Sequence, residues 1–456
     1  MAAEIYKQIW ELSPLVQRRK SYAELTRLTN ELINLYDHEG RLSNDPFSPT
    51  RGRSLSLPFD KIQKELKGST CVVTGGLGCV GSMLITELLK FDVKSIIILD
   101  KARITIPVGY PEKVVRIQCD IRNLQTVKDI FTVCRPNFVF HTAAQRDPGF
   151  AESHIVETVS TNVIGTLNIV KACESTTTAK QMVFSSTGKA SRYYTEEVYA
   201  GTKKVCEFIL DTCARTSNVR YSMVRFTHIL DNSLMNEELK KASLNNNYIA
   251  LHGPGKYVTA QNAKEAAYLM LNALIHSTDK QCQFLLVRHL EWPVESLEMA
   301  LYHIKQSGRN IPVIFTGNPA GYSEKFFRGQ MDWSKPTELN LLTNVYERKH
   351  RKLNEAGDII ISRPYHTDMR TLEKALDKIK SADGEIDTKI VLIEGLRQMV
   401  REALKTVDKK ETMYILHWGL DPACLKMENA RISDFSEITQ LLLESLEGSE
   451  YYKEAE

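Results

Sequence analysis

A doubly wound α/β fold, one parallel sheet covered by helices on both faces, is what this sequence predicts. Two observations carry the prediction. Seven short apolar runs, Thr70–Val73, Ser95–Asp100, Val114–Cys119, Phe138–His141, Gln181–Ser185, Arg220–Phe226 and Gln283–Val287, are interleaved with helical stretches. Buried strands separated by helices imply parallel pairing. The first run also passes directly into Thr74-Gly75-Gly76-Leu77-Gly78-Cys79-Val80-Gly81, a glycine-rich turn that opens a helix. Such glycines let the backbone turn sharply and approach a pyrophosphate, whose charge is met by the N–H groups of the helix start. A dinucleotide is therefore the expected ligand of Gly75, Leu77, Gly78, Cys79, Val80 and Gly81.

Three zones follow along the chain. Residues 1–67 read as a helical extension and linker. Ser21 and Glu24 make an S-x-x-E capping pattern, Tyr22, Leu25, Leu32, Leu35 and Tyr36 share a helical face, and Gly40 offers a stop. Such a face suits packing on the protein itself or on a sister subunit. Residues 44–58, rich in Ser and Pro, read as a loop. Residues 68–367 hold the dinucleotide fold and a smaller substrate-binding part, with helices expected at Val80–Lys90, Leu124–Cys134, Val156–Cys173 and Glu197–Thr216. Residues 368–456 turn helical again. Met369, Leu372, Leu376 and Ile379 mark one apolar face, and Ile390, Ile393, Met399 and Val400 another. Asp434 and Glu437 open a last helix that Gly448 closes, and the acidic tail 447–456 is expected to fray.

Composition narrows the classes. With 43% hydrophobic and 25% charged residues the chain is ordinary globular protein, and a net charge of +3 gives no reason to invoke nucleic acid. Its nine cysteines show no C-x-x-C and no metal-ligand spacing, so no metal is expected. Cys71, Cys119 and Cys173 fall on apolar faces, as reduced core thiols of a cytoplasmic protein would. No run reaches the roughly 18 apolar residues of a membrane span.

Ionisable and polar residues cluster after the strands. Asp100 ends the second, 19 residues beyond Gly81, where a carboxylate accepts from an adenosine ribose and repels a 2′-phosphate. That favours NAD, with NADP possible because Lys101 or Arg103 can pair with a phosphate. Asp120 and Ile121 follow the third strand, within reach of an adenine. Ala143 and Ala144, after His141, leave room for the cofactor, and His141 itself suits packing against cofactor or core. Asn162 lies in Asn162-Val163-Ile164-Gly165-Thr166. Tyr199 and Lys203 stand in Y-x-x-x-K, a phenol and an ammonium one helical turn apart on one face. Arg146 can reach a substrate phosphate or pair with Asp147.

The series T-G-x-x-G-x-x-G, D-I-R, H-x-A-A, N-V-x-G-T, S-S-T and Y-x-x-x-K resembles the extended short-chain dehydrogenases/reductases, a Rossmann-type family. Its polysaccharide-biosynthesis branch, the nucleotide-sugar 4,6-dehydratases and epimerases, is similar in two further stretches. Met223 to Leu230 resembles V-R-F-G-N-V-L, with His228 where that segment has asparagine. Thr316 to Lys325 resembles T-G-x-R-P-G-E-K-L of the sugar-nucleotide part. The likeness runs from about Ser69 to Tyr346.

The resemblance implies an NAD(P)-dependent enzyme, in a homo-oligomer, acting on a nucleotide sugar through a transient keto-sugar. Tyr199 would take a hydroxyl proton, assisted by Lys203, and Thr187 (or its neighbour Ser186) would donate to the reacting oxygen. His228 and Lys325 would meet the substrate. The branch usually follows its threonine with Asp-Lys, whereas this chain has Gly188-Lys189. Lys189 can serve as base beside a ketone, and the acid must come from elsewhere, with Asp147, Glu196 and Glu197 as candidates. Two rivals stand: a dehydrogenase or reductase on a non-sugar alcohol or ketone, and a non-catalytic NAD-binding scaffold. A scaffold has no need of the phenol.

Overall fold

The computed structural model describes residues 2–103, 109–232, 236–319, 325–334 and 340–452. They form two compact units, one of residues 55–226, 267–288 and 321–456, the other of residues 1–54, 227–266 and 289–320.

The larger unit is built on a nine-stranded sheet. Its strands are β1 (Thr70–Thr74), β2 (Ser95–Asp100), β3 (Val114–Gln118), β4 (Phe138–His141), β5 (Gln181–Thr187), β6 (Arg220–Phe226), β11 (Gln283–Val287), β14 (Lys352–Leu353) and β15 (Ile359–Ser362), in the order β3-β2-β1-β4-β5-β6-β11-β15-β14. Pairing is parallel from β3 to β11; β15 then runs antiparallel to β11, and β14, at the edge, antiparallel to β15. The order reverses between β1 and β4, which opens the crevice where ligands bind in doubly wound sheets. β5 runs two residues beyond its expected end because Ser186 and Thr187 pair with Arg225 and Phe226 of β6.

The helix expected over 156–173 is interrupted. Ile155–Val159 passes through a π turn at Ser160–Ile164 into Gly165–Glu174. The Asn162 carbonyl, in that turn, accepts from Thr166 Oγ1 at 2.6 Å and Cys206 Sγ at 3.1 Å. Gly165 is needed beside it, since a Cβ there would lie 2.6 Å from Ile121 Cδ1.

Helices Met369–Ser381 and Gly384–Lys405 cover the helix Val198–Thr216. Leu392 and Leu396 face Gly201, 3.8 and 3.7 Å from where its Cβ would be. Glu152 joins the same elements, accepting from the Val198 N–H at 2.8 Å and pairing with Lys389 at 2.7 Å. Met399 and Val400 are buried as their periodicity predicts, but Ile390 and Met369 are exposed, each in the first turns of its helix. The last helix, Ser436–Leu446, ends before Gly448, which takes the left-handed φ of +76°.

The smaller unit packs helices Ala2–Leu12, Arg19–His38, Glu237–Asn245 and Ser296–Ser307 around Ile9, Leu25, Leu32, Leu297, Leu301 and Val313. Three short pairings accompany them: β7 (His228–Ile229) with β10 (Ala260–Gln261), β8 (Ile249–Leu251) with β13 (Val313–Phe315), and β9 (Tyr257–Val258) with β12 (Val294–Glu295). The cap expected at Ser21 does not form. The helix starts at Arg19, because the Arg18 N–H is already held by the Leu15 carbonyl at 2.8 Å, and Ser21 lies buried inside the first turn. Residues 48–52, expected as loop, make one short helix.

Candidate active site at the carboxyl edge of the sheet

Backbone proximity explains the glycine turn. Gly75 has φ +66°, and a Cβ there would lie 2.7 Å from Ala143 Cα, so only glycine lets β1 and the segment after β4 touch. A Cβ at Gly81 would collide with the Gly75 carbonyl and meet Gly76 Cα at 2.7 Å. The helix Cys79–Leu88 thereby starts flush against the strand end, its first N–H groups at the crevice. Asp100 lies beside this turn, its carboxylate accepting from the N–H groups of Leu77 at 3.1 Å and Ala102 at 3.0 Å. Lys101 pairs with Glu157 instead. Asp120 follows β3 with Arg122 forked onto it at 2.5–3.0 Å, which holds its carboxyl below the usual range.

His141 and Asn162 are working parts of the scaffold. Thr166 gives its hydroxyl proton to the Asn162 carbonyl, so His141 Nε2 must donate to Thr166 Oγ1 at 2.9 Å. Burial, with Lys203 nearby, depresses the imidazole pKa to about 3, so the ring is neutral and Nδ1 accepts from Thr74 Oγ1 at 2.6 Å. The Ala143 N–H then donates to that same Thr74 oxygen at 3.2 Å. Asn162 clamps Gln145 through its N–H and its carbonyl, at 2.8 and 3.0 Å, and donates to Thr202 at 3.0 Å. One hydrogen-bonded chain thus fixes the ends of β1 and β4, Ala143 and the π turn.

Thr187 ends β5, and the helix Val198–Thr216 brings Lys203 against that strand. The helix Val198–Thr216 carries Tyr199 half-buried and Lys203 buried one turn later. Lys203 Nζ donates to the Ser185 carbonyl at 2.9 Å and lies 4.7 Å from the centre of the Phe184 ring. Burial lowers its pKa to about 8. Ser186 is unavailable, because its hydroxyl donates to Glu207 Oε1 at 2.6 Å. That leaves Thr187, whose Oγ1 receives the Lys189 N–H at 3.4 Å.

Of the candidate acids, Glu197 is buried and paired with Lys189 at 2.5 Å and Arg192 at 3.1 Å. Asp147 caps the helix Pro148–Ser153, and Glu196 is exposed. A side chain at Gly188 would run into Cδ2 of buried Leu342. Arg146 is exposed, His228 lies on β7 of the smaller unit, and Lys325 spends its ammonium on Asp434 and the Asn429 carbonyl at 2.8 and 2.9 Å. Glu324 lies outside the described residues.

A buried ionic group beneath the site escaped the sequence reading. Arg225, fully buried on β6, binds Glu207 at 2.6 and 2.9 Å, Glu347 at 2.6 and 2.7 Å and the Leu342 carbonyl at 2.9 Å. The Leu342 N–H donates to Asn340 Oδ1 at 3.0 Å, so the residue facing Gly188 is fastened at both backbone groups. One signal was available: Glu207 stands four residues after Lys203, on the same face of the helix.

Residues 71–234 match the family model of the polysaccharide biosynthesis proteins. Over this stretch the chain is similar to that family. Among curated relatives, the probable polysaccharide biosynthesis protein EpsC of Bacillus subtilis is 26% identical over 282 residues, covering 58% of this chain and 46% of that protein. The capsular polysaccharide biosynthesis protein CapD of Staphylococcus aureus is 25% identical over 324 residues, covering 63% and 52%. The chain thus spans about half the length of these relatives. The structure of Pen from Bacillus thuringiensis shares the fold with TM-score 0.56 at 21% identity, over 66% of this chain and 89% of that one. Among the described residues, no helix is long and apolar enough to cross a membrane.

Proposed function

We propose that this chain is an NAD(P)-dependent nucleotide-sugar epimerase or dehydratase, working through a transient keto-sugar in polysaccharide or glycoconjugate biosynthesis. The observation that carries the reading is Lys203, buried with its ammonium on the Ser185 carbonyl of β5, one helical turn from Tyr199. A scaffold would gain nothing from burying an ammonium there. A dinucleotide at this turn is supported by Gly75 and Gly81, which leave only backbone there, and Asp100, beside the turn, is assigned to a ribose. Bound there, NAD supplies a hydride acceptor.

The chain's own residues handle the proton. Tyr199 takes it from the sugar hydroxyl. A free phenol ionises near pH 10, so it needs the adjacent Lys203 ammonium to favour phenolate. Thr187 donates to the oxygen as it becomes a carbonyl. Lys189 stands two residues on, and its contact with Glu197 gives a proton a path between amine and carboxylate. Arg146 and His228 are assigned to the substrate; Lys325 is left out because its ammonium is already engaged.

Gly188 favours epimerisation, or plain oxidation and reduction, over elimination, since no acid stands where the dehydratase pattern has one. Mass spectrometry of products from a panel of nucleotide sugars tests the proposal, with absorbance of reduced nicotinamide followed in parallel. An isomerised or dehydrated sugar without accumulating NADH supports it. Stoichiometric NADH from an alcohol, with no nucleotide sugar converted, would replace it with the simple dehydrogenase.

A further inference from the structure

The opposite, amino-terminal edge of the same sheet holds a second constellation. β15 runs antiparallel to β11, with Ser362 paired to Phe284, so Arg363 and the residues after it emerge where β11 begins. The helix Val198–Thr216 runs back along the sheet and brings Asp211 and Arg215 to that edge, just before β6 starts at Arg220. Together with Tyr346–His350 and the segment 406–411 they enclose a cavity of about 510 Å³. Small-molecule sites typically measure roughly 300–1,000 Å³.

Most charges lining it are already matched. Asp211 contacts His366 Nδ1 at 2.7 Å and Arg215 at 3.3 Å, and Lys349 at the rim pairs with Asp408 at 2.8 Å. Arg363 differs. Its Nη2 donates to the ring of His350 at 3.0 Å, a neutral acceptor, and among the described residues it has no carboxylate partner. His350 is held below its ordinary pKa by burial and by Arg363 and Lys349. Behind Arg363 and His350 lies an apolar wall, Tyr365, anchored through its hydroxyl to the Tyr193 carbonyl at 3.1 Å, with Pro364 and Val407, while Glu411 also lines the cavity.

A planar guanidinium, a mobile ammonium and an imidazole converging beside an aromatic wall suit a tetrahedral anion with an apolar body. We propose that this cavity binds a small phosphorylated ligand, its phosphoryl group between Arg363, His350 and Lys349 and the rest of it against Tyr365. This site is separate from the glycine turn and does not depend on the proposed reaction.

Hydrogen exchange of the full chain with saturating inorganic pyrophosphate separates the two sites. Slowed exchange is expected in residues 346–351, 363–367 and 406–411. Arg363→Gln should remove that protection while leaving any effect at residues 75–82, and should weaken the associated binding by about tenfold or more. Lys349→Gln, exposed at the rim, should weaken it in the same sense and keeps the test open if Arg363→Gln does not fold. Absence of protection in the three segments, or protection unchanged in the variants, overturns the proposal.

Discussion

Tyr199 and Lys203 have separable duties, and single substitutions should part them. Tyr199→Phe removes the proton acceptor without touching the turn, so turnover should fall at least about a hundredfold while NAD titrates nearly as before. Lys203 should write itself into the pH profile. Its ammonium is present below about 8 and is lost as pH rises through that value, so kcat/KM should decline on the alkaline side with an apparent pKa near 8. Stability should move the opposite way. A lysine whose folded pKa lies below the ordinary 10.5 binds fewer protons folded than unfolded, so stability should rise between about 8 and 10.5. Lys203→Met should abolish both trends, read by initial rates and by denaturant midpoints. That Thr187 ends a strand and that Tyr199 and Lys203 lie one turn apart on a helix was legible, because motif spacing maps directly onto a strand end and a helical face. Arg225, Glu207 and Glu347 were not, because their partnership spans 18 and 122 residues of sequence and exists only in three dimensions.

Elements position these residues by being covered. The helix Val198–Thr216 is buried along nearly its whole length, one side on the sheet and another under Gly384–Lys405. Leu396→Ala should therefore cost about 2–5 kcal/mol through the cavity it leaves against Gly201, seen as a lower urea midpoint with unchanged slope. Strands and helix registers were readable from periodicity. The π turn was not, because nothing local in Ser160–Ile164 announces a widened turn; it is held by Thr166 and Cys206 reaching its carbonyl. The misplaced cap at Ser21 has a similar cause, a preceding tight turn that starts the helix early.

At the scale of the molecule, one sheet offers two edges, and the proposed chemistry belongs to the carboxyl edge. If a ketone forms there and Lys189 exchanges the neighbouring proton, reaction in deuterated water should place deuterium on the carbon beside the oxidised one. Lys189→Ala should then stop the labelling while hydride transfer continues. Mass spectrometry of product without solvent deuterium would restrict the reaction to the oxidised carbon itself. The sheet and its reversal between β1 and β4 were foreseeable from the alternation of apolar runs and helices. The packing of 1–54 with two later segments was not, because apolar faces carry no address for their partners.

The contact of Gly188 with Leu342 sets the terms on which this site could be given new chemistry. An acid inserted at 188 meets Cδ2 of Leu342, a residue tied at its N–H and its carbonyl, so the leucine side chain must turn aside to admit it. Gly188→Asp alone should be destabilising, and Leu342→Gly alone should leave a void. Together they exchange one side chain for another in the same volume, so the pair should be less damaging than the sum of the two. A thermodynamic cycle on the four proteins measures that coupling. The double variant, in which the acid has the space to itself, is also the one in which loss of water from a nucleotide sugar should first be sought.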